Sequence, residues 1–480
     1  PNFFAVFPAN TSPPGILGDL AASGLGVQGM LWATSPACTE VENAVLDWLV
    51  DLMALPESWK TTGPGGGVLQ MSASDSTHTA LVVAREQCRR RSGAGAESMV
   101  AYASTEAHSS IEKGARVAGY GHVRTVAVDH EFAMDPAALG TAIAADRAAG
   151  LRPAFVCSAV GTTGTTAVDP VSAIGAIAGA DELWHHVEAA YAGAAMLCPE
   201  LRHHQDGLDT ADSYTFNAHK WLATNFDCSV FWVADRSPLI ETLSILPPYL
   251  RDGASAAGAA IDYRDWHVPL GRRFRALKLW FVLRSFGAEG LRSMIRHHID
   301  LARALAEWVD ADPRLEIIAP TPFALVSFRH ADGDDTTRRL AEAINADGRV
   351  YLTTSEVDGS GHALTLAWDT DNFTLKSITA YRENTIKARG DIDDIDSSID
   401  ANGVGAYNDQ TQLALGTLYG ITGGFDSPAL PIDALWDEID AQGNALHFSQ
   451  NSKSDYDQFS QELQILGSTD TIEWVGGLYY

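Results

Sequence analysis

The chain has 480 residues, 46% hydrophobic and 20% charged, which excludes a disordered polymer. Its 33 Lys and Arg face 61 Asp and Glu, a net charge of -28 with no basic patch, which excludes nucleic acid as a partner. Five widely spaced cysteines (Cys38, Cys88, Cys157, Cys198 and Cys228) point to free buried thiols in a reducing, cytoplasmic compartment rather than to disulfides or a metal site. No apolar run reaches the roughly 18 residues a membrane-spanning helix needs, and no signal sequence is recognised. The first residue, Pro1, is expected to lie partway through a gene product.

Up to residue 359, helical and strand patterns alternate. Glu40–Leu55 is amphipathic with a helical period, and Gly65–Ser74 reads as a Gly-rich turn, a short strand and a helix start. Ser76–Arg91 is again helical, whereas Ala154–Val160 and Cys228–Ala234 are β-branched runs expected to be buried strands. Strands alternating with helices predict an α/β fold with a mostly parallel central sheet covered on both faces. From residue 360 the period falls to two. Leu364, Leu366 and Trp368 share a face, a turn covers Asp369–Asn372, and Phe373–Tyr381 alternates again. Phe459, Gln461, Leu463 and Ile465 share another face, Gly467–Thr471 turns, and Ile472–Tyr480 alternates. These patterns predict antiparallel hairpins. Charge changes at the same place: residues 360–480 hold 19 acidic and 5 basic residues, so about a quarter of the chain carries half the net charge.

The strongest chemical signal is Ser213–Trp221, where a strand ends and Asn217, His219 and Lys220 follow in the turn. A lysine held at a strand end among cationic or apolar neighbours suits a Schiff base with an aldehyde cofactor; read alone, it also fits a solvated surface turn. Upstream, Trp184–Gly193 puts Glu188 at another strand end, where a carboxylate can pair with a protonated pyridine nitrogen. The amides after Gly65 and the Ser74 hydroxyl can hold a phosphate at a helix N-terminus. His108, at the loop-to-helix start Thr105–Ser110, can stack on a flat ring or serve as a satisfied structural side chain.

With these residues go longer motifs: Pro1–Ala5, Trp32–Glu40, Ala107–Ser110, Asn217–Trp221, Asn225–Cys228 and Pro269–Arg275. From Pro1 to about Asp358 the chain resembles the pyridoxal-phosphate-dependent aromatic-L-amino-acid decarboxylases, group II decarboxylases of the aspartate-aminotransferase fold (fold type I). The resemblance implies that Lys220 binds the aldehyde of pyridoxal 5'-phosphate and that His108 stacks on its ring. It places Ala73, Ser74, Thr163, Glu188, Ala190, Asn217 and His219 around the cofactor, with no metal. Tyr249 matches a mobile-loop tyrosine that protonates the α-carbon after CO2 leaves. Phe there goes with aldehyde formation, so Tyr249 implies simple decarboxylation to the amine. Phe7 and Pro8 match an aromatic substrate wall, and Gly271 leaves room for an indole or catechol. Gln28 and Met30 match a segment reaching the partner subunit's pocket, which implies a homodimer. The expected organisation is a linking and substrate-wall segment over 1–62, a cofactor domain over 63–280, the start of a small domain over 281–359, and a β-hairpin segment over 360–480.

The chain departs from the family pattern at Glu188, where the family has Asp, and at Ala218, where it has Pro. Glu is one methylene longer, so its carboxylate is expected to meet the pyridine nitrogen only with a shift of ring or strand. The helical segment that precedes Pro1 in the family is expected to be missing. Ser360–Tyr480 resembles a stretch of a TonB-dependent outer-membrane receptor barrel, carried by Leu364–Trp368, Leu375–Glu383, Gln458–Gln464 and Trp474–Tyr480; a small soluble β domain is the alternative. So few strands cannot close a barrel, so this piece alone is not expected to enter a membrane. A non-functional fusion of a truncated decarboxylase with a receptor fragment, joined near Asp358–Gly361, therefore stands as the alternative to an active enzyme.

Overall fold

The computed structural model describes residues 2–3, 10–245, 260–357, 361–367, 374–384, 456–468 and 473–479. They fall into two compact units, Pro1–Trp368 and Asp369–Tyr480. After a two-residue strand β1 (Asn2–Phe3), which pairs with β11 (Val350–Tyr351), come helices α1 (Pro13–Leu25) and α2 (Pro36–Met53). The centre of the first unit is a seven-stranded sheet built from β2 (Gly66–Gln70), β3 (Met99–Ser104), β4 (His122–Val126), β5 (Arg152–Ala159), β6 (Trp184–Glu188), β7 (Ser213–Asn217) and β8 (Ser229–Val233). Its order is β2-β8-β7-β6-β5-β3-β4; β8 alone runs antiparallel to its neighbours. The parallel strands are joined by helices such as α3 (Ala73–Ser92), α4 (Ser110–Val117), α5 (Pro136–Ala148) and α6 (Val171–Asp181). Strands β2, β3, β7 and β8 are buried along their whole length, as a sheet covered on both faces requires.

The expected helices and strands are present with small shifts at their ends. The pattern read as Glu40–Leu55 begins earlier, at Pro36, because a proline fits the first helical turn, where its missing N–H would have no partner. The helix expected over Ser76–Arg91 is α3, started by the Ser72 hydroxyl, which accepts from the Asp75 amide, and stopped at Gly93, whose φ of 69 a side chain would oppose. All five cysteines are buried and unbridged. Among the described residues no helix is long and apolar enough to cross a membrane.

The loop that precedes α9 (Arg275–Ala311), a long helix kinked at Gly287, is fastened by a buried ion pair. Arg272 donates to Glu42 at 2.5 Å and to the carbonyls of Gly29 and Leu69, and its guanidinium lies 4.6 Å from the Tyr263 ring. Glu42 also accepts the Leu69 amide at 2.8 Å, so it joins α2 to the edge strand β2. Both side chains are sealed from water, at 1% and 0% exposure. Removing one partner strands a buried charge, so Glu42→Ala should lower the unfolding free energy by about 3–5 kcal/mol, measured by urea denaturation. A loss below about 1 kcal/mol, as for an exposed pair, would contradict this.

Beyond α9, β9 (Leu315–Ile317), β10 (Leu325–His330), β12 (Thr353–Val357) and β13 (Gly361–Ala367) form a second sheet in the order β12-β13-β10-β9, with α10 (Asp334–Asp347) between β10 and β12 in the chain. The sequence grouped β13 with the C-terminal hairpins. It lies instead between β10 and β12, antiparallel to both, so the first unit runs on past residue 359 to Trp368. In the second unit β14 (Thr374–Asn384), β15 (Tyr456–Ser468) and β16 (Glu473–Tyr479) form an antiparallel sheet in that order. Strands β15 and β16 pair as the expected C-terminal hairpin, with Gly467 and Ser468 inside β15, and residues 469–472 lie outside the described residues. Strand β14 pairs with β15 rather than with β13. The expected turn at Asp369–Asn372 lies outside the described residues.

Candidate active site

The carboxyl ends of the parallel strands share one edge of the sheet, and the residues that follow them line one cavity of about 330 Å³. Ala73 and Ser74 come after β2, His108 after β3 and Thr163 after β5. Glu188 ends β6, Ala190 follows it, and Asn217, His219 and Lys220 close β7. All nine residues expected around a cofactor therefore meet in one place.

The N-terminus of α3 forms one wall. The Ala73 amide donates to Asn217 Oδ1 at 2.9 Å, which ties this terminus to the end of β7 across 144 residues of sequence. Ser74 stands exposed at the mouth. Opposite, β7 turns directly into the short helix α7 (Ala218–Trp221), which carries Lys220 into the cavity. Burial holds the Lys220 amine below the ordinary lysine range, against the opposing pull of the Glu188 charge. His219 is held by the main chain of Cys228, whose amide lies 2.9 Å from Nδ1, and burial pulls the ring down to about 4, so it is neutral near pH 7. At the end of β6, Glu188 Oε1 accepts the Ala190 amide at 2.7 Å. That bond folds the longer side chain back along its own main chain.

Five lining residues were not singled out as site residues in the sequence: Ser72, Ser110, Gly161, Tyr191 and Phe226. Ser72 and Ser110 sit inside motifs already read as phosphate and ring contacts. Gly161 has a φ of 85, a backbone that disfavours side chains, and a Cβ there would meet that of Ala192 at 2.7 Å. Tyr191 stacks on Trp221 with ring centroids 4.6 Å apart, and Trp221 donates to His298 of α9 at 2.9 Å, so the residue next to Lys220 is clamped from two sides. Phe226 packs edge-on against His219 at 4.8 Å.

Of the residues expected to bind substrate, His108 lines this cavity, whereas Gln28, Met30 and Gly271 do not. Gln28 and Gly271 line a separate hollow of about 440 Å³ beside Asp19 and Arg273, where Gln28 Oε1 accepts the Arg272 amide at 2.6 Å. Met30 is half-buried, and its carbonyl accepts the Arg264 amide. Phe7, Pro8 and Tyr249 lie outside the described residues.

A primary amine, a carboxylate, an imidazole and an anion-binding helix terminus thus converge in a cavity of cofactor size. This donor set fits the aldehyde, the basic ring nitrogen, the flat ring and the phosphate of pyridoxal phosphate. The pyridoxal-dependent decarboxylase conserved domain matches residues 1–331. Phenylacetaldehyde synthase of Arabidopsis thaliana is 45% identical over 371 residues, 75% of this chain and 76% of that protein. Aromatic-L-amino-acid decarboxylase of Sus scrofa is 41% identical over 394 residues, 77% of this chain and 81% of that protein. The crystal structure of Oryza sativa TDC with PLP and tryptamine is similar at a TM-score of 0.75 and 40% identity, over 76% of this chain and 79% of that one. The α/β unit with its mostly parallel sheet is therefore a fold type I domain, and the chain belongs to the pyridoxal-dependent decarboxylase family, with pyridoxal phosphate as its cofactor.

Proposed function

We propose that this chain decarboxylates an aromatic L-amino acid to the corresponding amine and CO2. The meeting of Lys220, Glu188, His108 and the α3 terminus in one cavity carries this reading, and the names of the similar proteins support the aromatic class. When bound, pyridoxal phosphate supplies an electron sink for the pair left behind as the carboxylate departs. Lys220 would hold its aldehyde, and the amide and hydroxyl of Ser74, beside Ala73, its phosphate. His108 would lie against the ring, with Thr163, Ala190, Asn217 and His219 shaping the pocket. Glu188 would keep the ring nitrogen protonated, since a nearby anion favours the charged form of a base. The chain is proposed to act as a homodimer in which Gln28 and Met30, which do not line this subunit's own cavity, serve the partner's, while Phe7 and Pro8 form the substrate wall and Gly271 leaves room for an indole or catechol. Analytical ultracentrifugation of the active enzyme reads the dimer directly; activity in a monomer would remove it.

Tyr249 is proposed to deliver the proton that completes the amine. Tyr249→Phe should leave cofactor binding unchanged and turn the main product into aldehyde, ammonia and hydrogen peroxide, with oxygen and water consumed alongside CO2 release. Product analysis with an oxygen electrode checks this. Amine alone, formed at the parental rate, would take Tyr249 out of the reaction.

A second reading concerns residues 369–480, which lie beyond the family match. Their antiparallel strands, 11, 13 and 7 residues long, suit the receptor-barrel resemblance and hence a fusion of two coding sequences, its junction beyond Trp368 rather than at Asp358–Gly361 because β13 belongs to the first unit. A transcript read unbroken through this junction is the expected outcome for a true fusion, and its absence would remove that reading.

A further inference from the structure

His108 is exposed and is bonded to the buried Ser110. Its Nδ1 lies 3.2 Å from the main-chain nitrogen of Ser110 and 2.8 Å from the Ser110 hydroxyl. A main-chain amide can only donate, so Nδ1 must offer its lone pair there. The hydroxyl is free to rotate and donates to the same nitrogen. Ser110 itself is fixed: it is 8% exposed and opens α4. The His108 carbonyl accepts the Ile111 amide at 3.0 Å, so main chain and side chain together fold the ring over the start of α4. With Nδ1 turned to the helix, the other edge of the ring is left for the cavity that His108 lines.

We infer that Ser110 is a positioning residue that fixes His108 in its Nε2-protonated form, so that the ring serves the cavity as a hydrogen-bond donor and not as a base. In a neutral imidazole an acceptor at Nδ1 puts the proton on Nε2. A donor suits an oxygen of the substrate carboxylate. It cannot take the α-hydrogen, whose removal would divert a bound amino acid from loss of CO2. This meaning rests on the decarboxylase reading, but the ring's protonation state can be measured without cofactor or substrate.

The test is the 15N spectrum of histidine-labelled protein near pH 8, with the His108 signals assigned by their loss in His108→Gln. The full chain should show one form, with an acceptor-type Nδ1 and a protonated Nε2. Ser110→Ala keeps the amide at 3.2 Å but loses the shorter hydroxyl bond at 2.8 Å, and should add a second set of signals protonated at Nδ1. It should also lower kcat/KM by about tenfold, the order seen when a residue orienting a site histidine is lost, and raise deuterium uptake at the α-carbon of unreacted substrate in D2O. Ser110→Thr, which keeps the hydroxyl, should match the parent in all three. A parental Nδ1–H, or a Ser110→Ala protein with the parental spectrum and kcat/KM, overturns the inference. So does a Ser110→Thr protein that behaves like the Ala variant. A single Nε2–H form in a protein without decarboxylase activity would instead count against the functional reading and leave the role of Ser110 standing.

Discussion

Lys220→Ala should abolish covalent attachment of the cofactor and cut decarboxylation by more than about 1000-fold, as expected when the group that makes the covalent link is removed. Among the described residues no other lysine lines the cavity. Lys278, also buried, lies 3.4 Å from Asp19 and is engaged with that carboxylate. Burial lowers the Lys220 amine and so raises its neutral, nucleophilic fraction, while the stack of Trp221 on Tyr191 holds the adjacent residue. The measurement is borohydride reduction of the cofactor-loaded protein followed by peptide mass spectrometry. The parent should carry the label on the peptide containing Lys220, and the variant should carry none. Label retained in the variant would show that another amine does this work.

Much of the site is legible in the sequence because fold type I chemistry gathers at strand ends, and strand ends are marked by local patterns. The short strand pattern stopping at Asn217 announces where Lys220 must stand, and a Gly-rich turn followed by a short strand announces the α3 terminus. Pairings between distant segments are less legible. Nothing local says that Asn217 will bond to the Ala73 amide, that Tyr191 will stack on Trp221, or that Glu188 will spend one oxygen on the Ala190 amide. The same gap explains β13. Alternation with a period of two shows that a strand has two unlike faces, but it is identical whichever neighbour supplies the hydrogen bonds. The pattern at Leu364 and Leu366 therefore fitted a hairpin with the following strand as well as it fits the observed place between β10 and β12.

Glu188→Gln carries the other large expected effect. Gln has the shape of Glu and can still accept the Ala190 amide through its oxygen, so the end of β6 should be undisturbed. What disappears is the charge. The Glu188 charge raises the Lys220 amine against the larger, downward effect of burial, so without it the amine falls further below the ordinary lysine range. Cofactor attachment through Lys220 should therefore survive. The proposed partner of the ring nitrogen is lost, and kcat should fall by about 100-fold, the loss typical of removing one preorganised electrostatic contact. Glu188→Asp is the complementary change. Aspartate keeps the charge and readily accepts the amide two residues on, so it should decarboxylate at least as fast as the parent. Single-turnover rates of the three proteins at saturating cofactor decide the matter. A Gln variant as fast as the parent would show that the Glu188 charge takes no part, and an Asp variant as slow as the Gln variant would show that the position of the carboxylate, set by the longer arm folded onto Ala190, matters as much as its charge.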